Sequence, residues 1–599
     1  MDSVGTIDLD EEQSAAVESD ERRVLVNAGA GSGKTRVIIA RTERLIRAGA
    51  GAGHGAICVI TFTRRAAQEL RKRVEAIGLT MAAITVGTFH SVAYHVLNSF
   101  GPRLGYERPI SIYDEWLSAD VLSDAMILFG LAPESFRDAE PRKVQERAEK
   151  LAILQPDDWV RVVDAYKMRM KTLNAVDFDS IMSECCRLFR EYPDVAKEIH
   201  NAWLHMLVDE FQDTDPVQLE WIDLINPRHL TVVGDDYQSI YGFRGARFQN
   251  IFDIAEQSED YPVGTNYRSA AAIVETGARL ISHNLNQLQK RIRPRPDPPR
   301  GNVQIIQSAI PFRQVALLCE TIRERFEYGQ MAVLCRTNRG AAISARELQL
   351  LGIPHRLISR GGFWDSDIVR GIVYTLQAIA NPADTMAAIR SLNFPAFRLC
   401  QIDRASIHAI AVRERISFRS AAMLYDSKTI REWADHLCKV TDSGKPGYPG
   451  ASSAEDMLTT CVDTFGWVDY FRKKGLHFPM RAIERIRMEM RRQAEIGDST
   501  LSDFLMWYAI RDSQDDIEAV TTEVTVSTIH AAKGLEWPVV ILPGWDADSF
   551  PSKKGDIEEE RRIAYVAITR AINECYIIRN VDKTPSRFIA EGGLLDVIA

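Results

Sequence analysis

Residues 28–35 read AGAGSGKT, and no other stretch restricts the fold of this chain as much. Gly29, Gly31 and Gly33 permit a backbone turn tight enough to aim successive N–H groups at one anion, and Lys34-Thr35 close the pattern of a phosphate-binding loop. Such a loop needs a buried strand to feed it and a helix to leave it. The flanks supply both: 23–27 (RVLVN) is an apolar run suited to an interior strand, and 35–47 has helical spacing. The helix N-terminus adds its positive end. In this reading Ala28, Gly29, Ala30, Gly31, Ser32 and Gly33 cradle phosphate oxygens. Lys34 reaches the β- and γ-phosphates of a nucleotide, and the Thr35 hydroxyl ligates Mg²⁺. The alternative is a chance glycine-rich turn; eight fitting residues between a strand and a helix favour the phosphate loop.

The alternation continues. Residues 56–62 (AICVITF) read as a second buried strand, 64–77 as an amphipathic helix with Ala67, Leu70, Val74 and Ile77 on one face, and 84–87 as the start of a third strand. Residues 93–199 are polar and helix-rich, with breaks at Pro102, Pro133, Pro141 and Pro156. Strand patterns return at 205–211, 229–235, 303–307 and 331–336. Residues 384–518 are again mostly helical, and strands at 524–530, 539–542 and 575–579 surround a helix at 558–571. The simplest account is α/β, with two parallel-sheet domains (1–92 with 200–262, and 263–383 with 519–599), each carrying one helical insertion (93–199 and 384–518). A length of 599 residues agrees, since one core usually holds about 150. Residues 290–301 (KRIRPRPDPPRG) set five basic residues among four prolines and read as a stiff, solvated linker.

Bulk properties narrow the function. The formal charge is −9, so any nucleic-acid contact must be a local basic patch. Nine cysteines without a CxxC pair fit a reducing compartment and argue against zinc or iron–sulfur sites. The acidic N-terminal stretch does not resemble a signal peptide, and no apolar run approaches the roughly 18 residues of a membrane span. A soluble cytoplasmic protein without membrane contact is expected.

Asp209-Glu210 ends the apolar run MLVDE. Alone, such a pair is common and reads as a solvated cap. Downstream of a phosphate loop it has defined work: Asp209 holds Mg²⁺ and Glu210 polarises the attacking water. Phosphoryl transfer also needs cations on the equatorial oxygens. Arg268 (TNYRS) and Arg570 (EEERRIAYVAITRA) are candidates from the second α/β half, so they would act only when the halves close.

Several segments now stand in a recognisable order: LDEEQSAA (9–16), AGAGSGKTR (28–36), TFTRRAAQEL (61–70), GTFHS (87–91), NAVDFDSI (174–181), LVDEFQDTD (207–215), VVGDDYQSIYGFRGA (232–246), NYRS (266–269), AVLCRTNRGA (332–341), VSTIHAAKGLEWP (526–538), EEERRIAYVAITRA (558–571) and PSRF (585–588). Through them the chain resembles the UvrD/Rep/PcrA-type superfamily 1 DNA helicases. The resemblance implies two RecA-like motor domains around an ATP cleft, using ATP and Mg²⁺ to move 3′ to 5′ on single-stranded DNA and at single-strand/duplex junctions. By resemblance Gln13 reads the adenine edge, Arg36 and Tyr267 stack on its faces, Gln238 senses the γ-phosphate and Glu536 contacts the ribose. Thr528 and His530 link that region to DNA, and His90 of GTFHS also belongs to the DNA path. Phe62, Tyr241 and Phe243, the last in place of the usual Trp, match positions that stack bases. Arg64, Arg65 and Arg244 would track phosphates.

Two departures matter. The family's strand-separating β-hairpin lies before PSRF, but here only NVDKT (580–584) separates CYIIR from Pro585. The family's NxPxRGIG loop, which grips duplex backbone, is replaced by NFPAFRLCQ (393–401), without its glycines. The leading expectation is a single-strand DNA motor, monomeric or weakly oligomeric. The rival is a DNA-stimulated ATPase that recruits a separate nuclease or repair partner. An RNA motor has less support. Phe363-Trp364 and the loop at 443–453 are candidates to replace the missing hairpin.

Overall fold

A strand covered on both faces needs apolar side chains at successive positions. RVLVNA, AICVI and HLTVVG have that character, and in a computed structural model they form the interior of one sheet. The structure describes residues 8–49, 56–61, 67, 70–72, 84–129, 156–242, 245–358, 363–395, 401–443, 453–495, 500–511, 522–553 and 555–595. The first sheet has six parallel strands in the order Ile84–Gly87, Ala56–Ile60, Trp203–Val208, His229–Gly234, Arg23–Ala28, Glu259–Val263. The second also has six parallel strands, ordered Asn302–Ser308, Ala571–Asn580, Trp537–Pro543, Met331–Cys335, Val524–Thr528, His355–Leu357. These are two RecA-like parallel-sheet domains, interrupted by mainly helical insertions. Two strands that periodicity does not reveal lie at sheet edges. Glu259–Val263 is mostly exposed and polar, and His355–Leu357 has only 3 residues.

The chain divides into two compact units, Met1–Val92 with Tyr192–Arg360 and Asp512–Ala599, and Ala93–Glu191 with Gly361–Arg511. The first holds both sheets. Val26, Ile38, Val59, Leu207 and Val233 fill the core of one; Val333, Ile541, Val526 and Leu348 lie in the core of the other. Ala30, Tyr237 and Ile240 of the first half pack with Tyr565 and Ile568 of the second.

The second unit contains the insertions. The first of them is not purely helical: Ser111–Tyr113 pairs in parallel with Ala175–Asp177. Leu117, Val121 and Met126 share a core with Tyr374 and Met386, and the Tyr113 hydroxyl donates to Asp384 at 2.8 Å. Trp364, Phe394, Trp433, Trp467 and Trp507 build the main core of the later stretch. Trp364 is 4% exposed, so it is a core residue and offers no exposed wedge. Residues 444–452 and 396–400 lie outside the described residues.

Residues 290–301 depart most from expectation. They are a strap rather than a solvated linker. Arg293–Pro294 pairs in parallel with Thr265–Asn266, and the Lys290 side chain is 0% exposed. Gly264 permits the approach: a Cβ there would stand 2.0 Å from the Arg291 carbonyl oxygen. Of the strap's five basic residues, Lys290 is neutralised by Asp235 and Asp236, remote in sequence, while Arg291, Arg293 and Arg300 remain exposed.

Candidate active site

In open parallel sheets, ligands bind beyond the carboxyl ends of the strands. The register brings three such ends together, with Asn27 opposite Gly234 and Leu207 opposite Thr231. Gly29, Asp209 and Asp235 each lie just past one of them. The phosphate loop turns at Gly31 (φ +67°) and Gly33 (φ +85°), left-handed conformations that favour glycine. Neither position has room for a side chain: a Cβ on Gly31 would stand 2.8 Å from Asn266 Nδ2, and one on Gly33 2.8 Å from Gln13 Nε2. Lys34 opens the helix Lys34–Arg47.

Lys34 Nζ lies 3.5 Å from Glu210 Oε1. Glu210 occupies the left-handed region (φ +50°, ψ 41°), an uncommon conformation for a residue with a Cβ and one that clusters at functional sites. Gln212 Nε2 donates to Glu210 Oε2 at 2.6 Å, while its Oε1 accepts from the Asp235 N–H at 2.8 Å. Burial, then the neighbouring Glu210 carboxylate, raise the Asp209 carboxyl above its usual range. Burial also opposes the Glu210 charge, but Lys34 leads a group of cations, with Lys533 and Arg570, that holds Glu210 below its usual range. The cleft thus holds the Glu210 carboxylate beside a lysine.

The second half supplies the cations. Arg570, the C-cap of the helix Ile557–Thr569, is 1% exposed. It donates to Gln238 Oε1 at 3.0 Å and to the Leu535 carbonyl at 3.1 Å. Burial, and then Arg268, lower it to about 10, so it stays charged near neutrality. Arg268 pairs with Glu536. The two finger candidates are therefore engaged with two other residues of the expected nucleotide site. Sequence reasoning did not single out Lys533, which donates to Asp213 and to the Gln238 carbonyl, although it lies within HAAKGLE.

At the base end, Gln13 is 0% exposed and donates to the Ser32 carbonyl at 2.8 Å, which ties it to the loop. The Arg36 guanidinium lies 5.9 Å from the centre of the Tyr267 ring, and the Tyr267 hydroxyl donates to Asp10. The site suits a nucleoside triphosphate: glycines leave the loop bare, a lysine stands at its end, and an arginine and a tyrosine face each other nearby. Thr35 and Asp209 provide hard oxygen donors of the kind Mg²⁺ takes.

The expected DNA path is less open. Tyr241 is 2% exposed, its hydroxyl donates to the His530 carbonyl at 3.1 Å, and Lys533 Nζ lies 4.9 Å from its ring centre. In this arrangement Tyr241 joins the two halves and presents no free face to a base. Thr528 ends its strand, and its hydroxyl accepts from the Ala531 N–H at 3.3 Å. His90 lies in the helix Phe89–Phe100, where burial lowers it to about 3 and keeps it neutral. Phe62, Arg64, Arg65, Phe243 and Arg244 lie outside the described residues. The strand Ala571–Asn580 ends in a short turn, and Pro585 then bridges to Asp546.

Comparison with known proteins agrees with this geometry. The UvrD/REP helicase N-terminal domain matches residues 9–259, and the UvrD-like helicase C-terminal domain matches 261–442 and 476–582. The ATP-dependent DNA helicase PcrA of Leuconostoc citreum is 28% identical, over 97% of this chain and 84% of the relative. PcrA of Bacillus subtilis is 29% identical over 97% and 85%, and the ATP-dependent DNA helicase srs2 of Schizosaccharomyces pombe 28% over 94% and 70%. With a phosphate loop on one parallel sheet, the buried Arg570 beside the other and both family domains matched along the chain, this protein belongs to the UvrD/Rep/PcrA-type superfamily 1 helicases.

Proposed function

We propose that the protein is an ATP- and Mg²⁺-dependent motor that moves 3′ to 5′ on single-stranded DNA. One observation carries the reading: a continuous hydrogen-bonded path runs from Glu210 through Gln212, Asp235 and Gln238 to Arg570, joining the two halves across the cleft. In this reading Lys34 neutralises the β- and γ-phosphates, Glu210 orients the attacking water, and Arg268 and Arg570 leave their present partners to face the transferred phosphoryl group. Thr35 and Asp209 would hold Mg²⁺, which would supply charge neutralisation at the phosphates. Exchange of Arg570 between Gln238 and nucleotide would couple nucleotide state to the relation of the two halves.

The short turn after Asn580 favours translocation over strand separation, because no wedge occupies that place among the described residues. Separating a base-pair step costs on average about 1.4 kcal/mol of stacking, which ATP hydrolysis covers; a fork without a wedge can still re-close between steps. The same observation favours a second reading, a DNA-stimulated ATPase that opens duplexes only with a nuclease or repair partner.

The test measures ATPase rate with and without single-stranded DNA, streptavidin displacement from either end of an oligonucleotide, and opening of 3′- and 5′-tailed duplexes. The motor reading expects DNA-stimulated ATPase and displacement from the 5′ end. Displacement from the 3′ end alone refutes the polarity, and a rate indifferent to DNA refutes the motor. Opening of tens of base pairs as readily as streptavidin is stripped refutes the preference for translocation.

A further inference from the structure

Lys290 lies in the strap and takes no part in the cleft as described. Its Nζ stands 2.9 Å from Asn27 Oδ1, 2.8 Å from Asp235 Oδ1 and 2.6 Å from Asp236 Oδ1, and 4.1 Å from the centre of the Tyr237 ring. Burial opposes a charged amine here, but Asp235 and then Asp236 outweigh it and hold Lys290 protonated. Stability alone explains such a cluster poorly, because well-packed apolar side chains commonly serve as well as a buried ion pair. The hydrogen bonds beyond Asp235 suggest what the charge is for.

Asp235 Oδ2 accepts from Gln238 Nε2 at 2.5 Å, and Gln238 Oε1 accepts from Arg570 Nη2 at 3.0 Å. An ionised carboxylate only accepts hydrogen bonds, so it selects the NH₂ end of the amide and leaves the oxygen for the guanidinium. A carboxylate turned away from Gln238 would remove that selection, and the reversed amide would present N–H groups to Arg570. We propose that Lys290 is a positioning residue for ATP hydrolysis: by anchoring Asp235 Oδ1 it holds Oδ2 on the Gln238 amide nitrogen and so aims the amide oxygen at Arg570. The inference rests on the motor reading of the cleft. Lys290 Nζ reaches Asp235 Oδ1 and Asp236 Oδ1 at once, so removing it frees the Asp235 carboxylate from its anchor and leaves it facing a second carboxylate. The strap also reaches the phosphate loop, since a Cβ on Gly29 would stand 2.4 Å from Ile292 Cδ1.

The test compares steady-state ATPase of wild type, Lys290→Met, Gln238→Ala, the double variant of these two, and Lys290→Met/Asp236→Asn. Lys290→Met is expected to lower kcat at least tenfold with KM for ATP within twofold. Combined with Gln238→Ala it is expected to be no slower than Gln238→Ala alone, because the two changes break one path. Asp236→Asn relieves the repulsion and is expected to restore most of the rate to Lys290→Met, a rescue that a packing role would not show. Factors that multiply in the double variant, or absence of rescue, overturn the proposal. If Lys290→Met does not fold, Asp235→Asn keeps the Lys290–Asp236 pair and is expected to show the same split between kcat and KM; an unchanged kcat overturns the proposal. A wild-type rate indifferent to DNA refutes the motor reading alone, and the same comparisons are then made on the unstimulated rate.

Discussion

Gly264→Ala is predicted to lift the strap from the first sheet while leaving the rest of that domain folded. The new Cβ would stand 2.0 Å from the Arg291 carbonyl oxygen and 2.8 Å from its carbon. Ordinary contact begins near 3.4 Å, so the strap backbone must retreat by roughly 1.4 Å. Three bonds lie on that path: Arg293 N–H to the Gly264 carbonyl at 3.1 Å, Arg295 N–H to the Asn266 carbonyl at 3.0 Å, and Arg293 Nη2 to Glu12 Oε1 at 2.8 Å. At about 1 kcal/mol net each, their loss lowers the local opening free energy by about 3 kcal/mol. Every 1.4 kcal/mol is about tenfold, so exchange of the strap amides is expected to accelerate by about 150-fold. Hydrogen–deuterium exchange on a peptide covering 289–296 reads this locally, without assuming that so large a chain unfolds in two states. Unchanged protection of that peptide in a folded Gly264→Ala protein would refute the close approach on which the strap description depends.

Lys34→Ala is expected to abolish ATP hydrolysis, and Glu210→Gln to retain ATP binding without turnover; normal steady-state ATPase in either variant contradicts the assignment. Arg268→Ala and Arg570→Ala are expected to cut DNA-stimulated turnover far more than ATP affinity, on the order of 10³ where an arginine finger has been removed; equal losses in both would place these residues in binding only. Acidification is expected to destabilise the first sheet. Burial, with His229 stacked at 4.7 Å, lowers His205 to about 4, below its unfolded value near 6.5. The unfolded chain therefore binds the extra proton first, and stability falls as pH drops from about 6.5 to about 4. The thermal midpoint measured across that window should fall less in His205→Phe, and an identical fall would exclude His205 as a cause.

The phosphate loop and its strands were legible because the signal is local: RVLVNA, the glycines and Lys34-Thr35 are contiguous, and each meaning follows from its neighbours. Asp209-Glu210 was legible for the same reason, at the end of an apolar strand. The strap was not. Its five basic residues suggest water, and the burial of one of them, Lys290, depends on Asp235 and Asp236, which sequence spacing does not bring near it. The motif places Tyr241 among base-stacking positions because it supplies an aromatic residue; its burial depends on Lys533 and His530, almost three hundred residues later. The left-handed Glu210 has no sequence signature, since glutamate rarely adopts that conformation.

The shared core of the two insertions bears on how the protein is made. Tyr113 finds its partner Asp384 only 271 residues later, and Leu117 and Val121 share their core with Tyr374 and Met386. At about 5–20 residues per second, synthesis leaves roughly 15–55 s between the emergence of the two sides. During that interval the early insertion carries apolar surface and a tyrosine hydroxyl that await segments still inside the ribosome. Nascent chains paused before residue 384 should therefore bind holdase chaperones at the first insertion, and release should follow once the helices Asp367–Ala380 and Thr385–Ser391 are made.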